Sequence, residues 1–347
     1  MTRMLAVAVG AALLTGATAA GAVSAEAATL SGAGATAPAP IYQKWAEAYR
    51  AKSGTSLNYQ GIGSGGGIKQ IEAKTVDFGA SDKPLAPADL ASHGLMQFPT
   101  VIVGITPVVN LPGVTPGEMH LTGPVLAQIY LGNIKRWTDP QIARLNPGKR
   151  FPNLPITIVH RSDGSGTTFL YTSYLKAVSP DWGSKVGASD SVQWPAGQGG
   201  KGNDGVAAFV KQTPGSIGYV EYAYAKTNNL AYADMADHDG AVVAPNEQSF
   251  TAAAAHANWD AASGFAPSLL NQPGAGAWPI SGATFILVYK TPPKPAATGE
   301  VLKFFDWCYT NGDGMAAQLS YVPLPGNVKA MVRHAWATSV NSTYKPH

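Results

Sequence analysis

Three times in this chain an apolar run gives way to a glycine-rich turn bearing a hydroxyl residue, and then to a segment of helical periodicity. The first unit is TLSGAGATAPAPIYQKWAEAYRAKSG, residues 29–54. Pro38 and Pro40 suit a first helical turn, Ile41, Trp45 and Tyr49 recur four apart on one face, and Gly54 stops the helix. The second is SLNYQGIGSGGGIKQIEAKT, residues 56–75, with Ser64 at the turn and Ile68 and Ile71 on one helical face. The third runs from ITIV through HRSDGSGTT, residues 160–168, into FLYTSYLKAV. A parallel strand pair needs a crossover, usually a helix, so strands alternating with helices argue for an α/β architecture with mainly parallel sheets.

Other segments fill in this outline. VDFGASDKP reads as a short alternating strand that delivers Asp82 at its end. TVIVGITPVVN (100–110) and GATFILVYK (282–290) are longer apolar runs, the first suited to a crossing strand and the second its equivalent near the C-terminus. TPPKPAATG (291–299) reads as a surface loop before the helix EVLKFFDWCYTNG. The 347 residues suffice for two lobes. A net charge of +3 without a basic block speaks against a nucleic-acid partner.

The turns carry the chemistry. A helix N-terminus leaves backbone N–H groups unpaired and holds roughly half a positive charge. Glycine admits a ligand close to the backbone and Ser or Thr adds a hydroxyl, so such a turn can bind a phosphate-like anion or simply cap its helix. Three turns after three strands favour one shared site, because parallel strands bring their C-terminal ends to one edge. Ser165 as a nucleophile fares worse: Asp163 stands where the G-x-S-x-G elbow needs glycine, and Ile62 fails Ser64 likewise. Neither serine has a motif-linked histidine base, no metal-ligand spacing is present, and Gly202 after Lys201 breaks any P-loop reading of GQGGKGND. No cofactor is expected. Asp82 and Asp163, taken singly, could each cap a turn or helix.

The N-terminus, with Arg3 before an apolar core from Met4 to Leu14 and small residues ending in Ala25-Glu26-Ala27, reads as a signal peptide over 1–27. A transmembrane anchor fits less well, since the second half of the stretch is Gly, Ala, Thr and Ser. The single cysteine, Cys308, falls in helical register with Val301 and Phe305 and is expected to be buried. No cysteine follows the signal core, so no lipid anchor is expected.

GAGATAPAPIYQKWA, YQGIGSGGGIKQI, VDFGASD, IYLGNIKRW, RSDGSGT, GGKGNDGVAAFV and PGSIGYVEYAYAK resemble the periplasmic phosphate-binding proteins of phosphate-specific ABC importers, from about Leu30 to beyond Trp336. The resemblance implies a two-lobed type II periplasmic binding protein fold, with ligand in the cleft between lobes. It places lobe I at 29–105 plus 280–347 and lobe II at 106–279, with the two long apolar runs crossing between them. It also implies a monomer in the periplasm that binds inorganic phosphate and delivers it to permease subunits with their cytoplasmic ATPase, without enzymatic activity. Carried over residue by residue, the ligand set is Thr36, Ala37, Ser64, Asp82, Arg161, Ser165, Gly166 and Thr167, with Asp163 paired to the arginine. Ala37 replaces a common Phe, Gly65 a second serine and His160 an arginine, and none of these removes a primary ligand group.

The resemblance also gives the two acids separate tasks. Phosphate near neutral pH keeps a proton and sulfate keeps none, so an ionised, acceptor-only Asp82 can take a P–OH hydrogen bond that sulfate cannot offer. Asp163 would hold the Arg161 guanidinium and offset its charge. An exported phosphatase using the same cradle, and a phosphate sensor or scavenger without a transport partner, are the competing readings.

Overall fold

The computed structural model of the chain describes residues 29–346; the expected signal peptide lies outside the described residues. Strand β1 (Thr29–Gly34) leads into helix α1 (Ala39–Ser53), β2 (Ser56–Gly61) into α2 (Ser64–Glu72), and β3 (Phe78–Ser81) through α3 (Pro87–His93) to β4 (Leu95–Val109). Next come β5 (Met119–Leu121), α4 (Gly123–Tyr130), α5 (Pro140–Leu145), β6 (Thr157–Arg161), α6 (Gly166–Val178) and α7 (Pro180–Lys185). They are followed by β7 (Gln198–Gly200), α8 (Gly202–Gln212), β8 (Ser216–Glu221), α9 (Tyr222–Thr227), β9 (Ala231–Ala236), β10 (Val242–Val243) and α10 (Glu247–Ala254). The chain returns through β11 (Ser281–Tyr289) to α11 (Pro295–Asn311), α12 (Asp313–Gln318), β12 (Val322–Pro323) and α13 (Gly326–Ser339).

The strand order β2-β1-β3-β11-β4-β8-β6-β7 divides at β4. All 15 residues of β4 are buried; its first part pairs with β11 and its last part with β8 and β9. One strand therefore serves both lobes. On either side the pairing is parallel, β2-β1-β3 and β8-β6-β7. The central pairs are antiparallel, because the chain leaves on β4 and returns on β11 in the opposite sense. The alternation expected in VDFGASD gives way to four consecutive buried residues in β3. That strand lies between β1 and β11, and an interior strand with both faces covered needs no polar face.

Each side has its own aromatic core. Phe305 of α11 meets Tyr42, Phe78 and Phe98 edge-on, while Tyr171, Tyr219 and Trp194 stack in the other lobe. Full burial of one such side chain is worth about 1.5–3 kcal/mol. Ile41, Trp45 and Tyr49 face the core as their spacing requires, and Cys308 is buried. The surface loop expected at 291–299 is shorter than that, since α11 already begins at Pro295. Proline suits a first helical turn and the following alanines propagate it. No helix among the described residues is long and apolar enough to cross a membrane.

Candidate functional site

The three turns converge at one place. In the first, Thr36 Oγ1 accepts hydrogen bonds from both the amide (3.2 Å) and the side-chain Nδ2 (2.8 Å) of Asn203. In the second, Ser64 Oγ accepts from the amides of Asp82 (3.2 Å) and Gly166 (3.0 Å). A hydroxyl has one proton and two acceptor positions. With both acceptor positions occupied, the protons of Thr36 and Ser64 are committed to donation. In the third turn, Ser165 caps α6 by accepting from the Thr168 amide at 3.1 Å. The amides of Ala37 and Thr167 find no acceptor among the described residues.

Glycine makes this convergence possible at two positions. Gly63 precedes Ser64 with φ of 91°, a left-handed backbone that L side chains avoid. A Cβ on Gly166 would come within 2.6 Å of both Asp82 Cβ and Ser64 Oγ. The α6 N-terminus thus touches the end of β3 directly, and any side chain there would hold the two apart.

The charged groups lie among these donors. Arg161, at the end of β6, has a side chain only 1% exposed and forms a two-point ion pair with Asp163, Nε to Oδ1 at 2.8 Å and Nη2 to Oδ2 at 2.6 Å. Its Nη1 is buried with no partner among the described residues. Asp163 also accepts from the Gly202 amide at 3.0 Å. Burial pushes the Asp163 pKa up, but the hydrogen bonds and charge of Arg161, with the Gly202 amide, outweigh it and hold the carboxyl below its ordinary range. Among the described residues no cation is bonded to Asp82. Its Oδ1 accepts from the Thr284 hydroxyl at 2.6 Å, and burial raises its pKa to about 6, against the pull of Thr284 and the nearby Arg161 charge.

Neither acid does the capping work that its position alone would suggest. The turn after β3 is held by Ser81, whose hydroxyl donates to the Lys83 carbonyl and accepts from the Lys83 amide. The α6 cap is Ser165. His160 is tied to its own strand, with Nδ1 3.0 Å from the Arg161 carbonyl and its ring stacked on Trp194. Among the described residues no group of three or more His, Cys, Asp or Glu side chains converges as a metal site.

The geometry brings Ser64, Asp82 and Gly166 into mutual contact, joins Thr36 to Thr167 through Asn203, and places Ala37 beside Thr36 with its carbonyl held by Tyr321. Further bonds link the two sides: Gly65 N to the Gly164 carbonyl at 3.0 Å, Tyr224 Oη to the Thr36 carbonyl at 2.7 Å, and Lys83 to Asp190 at 3.3 Å. Two participants escaped the sequence reading. Asn203 lies in the first turn of α8, which follows β7 and opens with Gly202, a fourth instance of the strand, glycine turn and helix pattern. Thr284 is the one hydroxyl in the buried stretch from Ala283 to Val288. Together the groups form a set of committed donors with two carboxylates, of which Asp82 alone has no cation bonded to it among the described residues, and this suits an oxyanion that retains a proton.

A family model described as PBP superfamily domain matches residues 19–311. The chain is 52% identical over 322 residues to a phosphate-binding protein PstS of Pasteurella multocida, covering 93% of this chain and 94% of that one. It is 51% identical to a phosphate-binding protein PstS of Haemophilus influenzae, covering 91% and 95%. A crystal structure of a phosphate-binding protein from Stenotrophomonas maltophilia superposes with a TM-score of 0.71 at 22% identity, covering 90% and 95%. At that identity the likeness establishes the fold, the two-lobed type II architecture expected from the sequence.

Proposed function

Since the chain belongs to the PstS family of phosphate-binding proteins within the PBP superfamily, we propose that it is the exported phosphate-binding subunit of an ABC importer. It is a binding protein and not an enzyme. One lobe spans 29–105 with 280–347 and the other 106–279. They close on hydrogen phosphate in the periplasm and present it to the permease subunits and their ATPase. The protons of Thr36, Ser64 and Ser165, the amides of Ala37 and Thr167, and Arg161 Nη1 donate to phosphate oxygens. Gly166 joins the set through the close approach that its missing side chain permits. Asp163 neutralises much of the Arg161 charge, so recognition rests on fixed dipoles as much as on net charge.

One observation carries the discrimination: the site has many donors and, with Asp163 ion-paired to Arg161, one carboxylate that no cation engages among the described residues. Ionised Asp82 accepts the ligand P–OH. Sulfate would meet that carboxylate lone pair to lone pair in a desolvated cleft, losing a charge-assisted bond and adding repulsion. A pKa of about 6 sets the window: above it Asp82 is acceptor-only, and below it the protonated acid can donate to sulfate.

The test is calorimetric titration of protein stripped of ligand by unfolding and refolding. At pH 8 the expected result is tight 1:1 phosphate binding without sulfate binding, with sulfate binding emerging as pH falls below 6. Asp82→Asn, able to donate through its amide, should lower the phosphate-to-sulfate affinity ratio by roughly 10⁴. Comparable binding of both anions by the unaltered protein at pH 8 would overturn the reading.

A further inference from the structure

Thr284 stands at an irregularity where the two long central strands meet. Along most of β11 and β4 the pairing advances residue for residue, but Thr284 faces Val101 while Phe285 faces Pro99, so Thr100 is an extra residue on β4. Proline has no N–H for the ladder and suits a bulge. A bulge bends the strand and redirects the side chains around it.

The polar groups at the bulge form a directed chain. Thr100 donates its proton to the Thr284 carbonyl at 3.2 Å, so the 2.7 Å contact between Tyr42 and Thr100 has the phenol as donor. Thr284 in turn gives its one hydroxyl proton to Asp82 Oδ1. Thr284 is fully buried, and its Oγ1 has no second partner among the described residues. The antiparallel register of β11 on β3, with Phe285 opposite Ser81, sets this hydroxyl beside Asp82, the next residue along.

The geometry points to Thr284 as a specificity-determining positioning residue: by occupying one oxygen of Asp82 with a donated proton, it keeps the carboxylate an acceptor and leaves its other oxygen for the anion's proton. This deepens the reading of Asp82 given above and rests on it. A donor to the charged form favours ionisation, so Thr284 opposes the burial that pushes the acid toward its neutral form. The other groups acting on or responding to Asp82 are Arg161, Glu221 and the phenols of Tyr42, Tyr59, Tyr224 and Tyr321. Burial pushes the phenols up and out of the neutral range, so they stay uncharged. Burial also raises Glu221, which leaves it as the second acid to control for.

The experiment compares phosphate and sulfate affinities from pH 5 to 8.5 for the full protein and for Thr284→Val, Thr284→Ser and Asp82→Asn. The first two are repeated in a Glu221→Gln background. Thr284→Val should let sulfate bind at higher pH than the unaltered protein does, the onset moving up by about one pH unit, while Thr284→Ser restores the original profile. The shift should persist with Gln at 221. Thr284→Ala serves in the same role if the valine variant does not fold. If either non-hydroxyl variant loses phosphate affinity but keeps the original sulfate profile, Thr284 is merely structural and the proposal fails. If Asp82→Asn relaxes sulfate exclusion and Thr284→Val does not, this inference alone fails. If Asp82→Asn also leaves sulfate excluded, the reading of Asp82 fails with it.

Discussion

The ends of β3 and β6 look alike in sequence: each delivers an aspartate into a turn after a short strand, Asp82 in GASDKP and Asp163 in HRSDGSG. In the folded protein they are opposites. Asp163 is bound at two points by Arg161 and once by a backbone amide, and its carboxyl stays below the ordinary range. Asp82 has a single neutral hydroxyl on one oxygen and a pKa raised to about 6. A carboxylate bonded to a guanidinium fixes charge, whereas one bonded to an alcohol in a dry cleft stays poised to respond to a proton. What separates the two roles is the partner and not the residue.

The comparison can be broken by stability measurements on ligand-free protein. The largest effect belongs to Asp163→Ala, which strands the buried Arg161 charge and should cost about 3–5 kcal/mol in denaturant unfolding at pH 7. Because the Asp163 pKa is lowered, its contribution is present above the ordinary carboxyl range and lost as pH falls through the folded value. Asp82 has the opposite sign. Its folded pKa of about 6 lies above the ordinary 3.8, so the folded state is favoured at low pH and loses about 3 kcal/mol as pH rises from below 4 to above 6. Asp82→Asn removes that loss: at pH 8 it should be more stable than the unaltered protein by about 3 kcal/mol, with no gain below pH 4. A destabilised Asp82→Asn at pH 8 would erase the contrast between the acids.

The smallest effect concerns a third acid. Asp190 pairs with Lys83 across the cleft at 3.3 Å, but the two side chains are 22% and 32% exposed. An exposed pair is worth about 0.2–1 kcal/mol, so Lys83→Ala should speed phosphate release by about 1.4- to fivefold and leave the melting temperature nearly unchanged. Stopped-flow release kinetics read this directly, and raising the salt concentration should mimic the substitution. An effect as large as that of Asp163→Ala would mean that exposure does not grade these acids.

Local sequence was enough for the parts that act over a few residues. The strand, glycine turn and helix units gave the α/β class, the stop of α1 at Gly54, and the placement of Thr36, Ser64 and Ser165 at the turns. The pairing of Arg161 with Asp163, two residues apart, came from the family resemblance, and it needs only the turn between them. The parallel halves were legible for the same reason. The antiparallel centre was not, since the pairing of β4 with β11 joins strands from opposite ends of the chain.

Tertiary structure decided the rest. Asn203 reaches Thr36 across 167 positions, Ser64 meets Gly166 across 102, and Thr284 meets Asp82 across 202. No period or propensity encodes such contacts. They arise because parallel strands present their C-terminal ends to a common cleft and β11, pairing antiparallel with β3, lays Thr284 beside Asp82. Which residues could donate or accept a proton was therefore written in the sequence. Which acid would be ion-paired and which would keep a raised pKa was set by burial and by the partner that the fold brought to it.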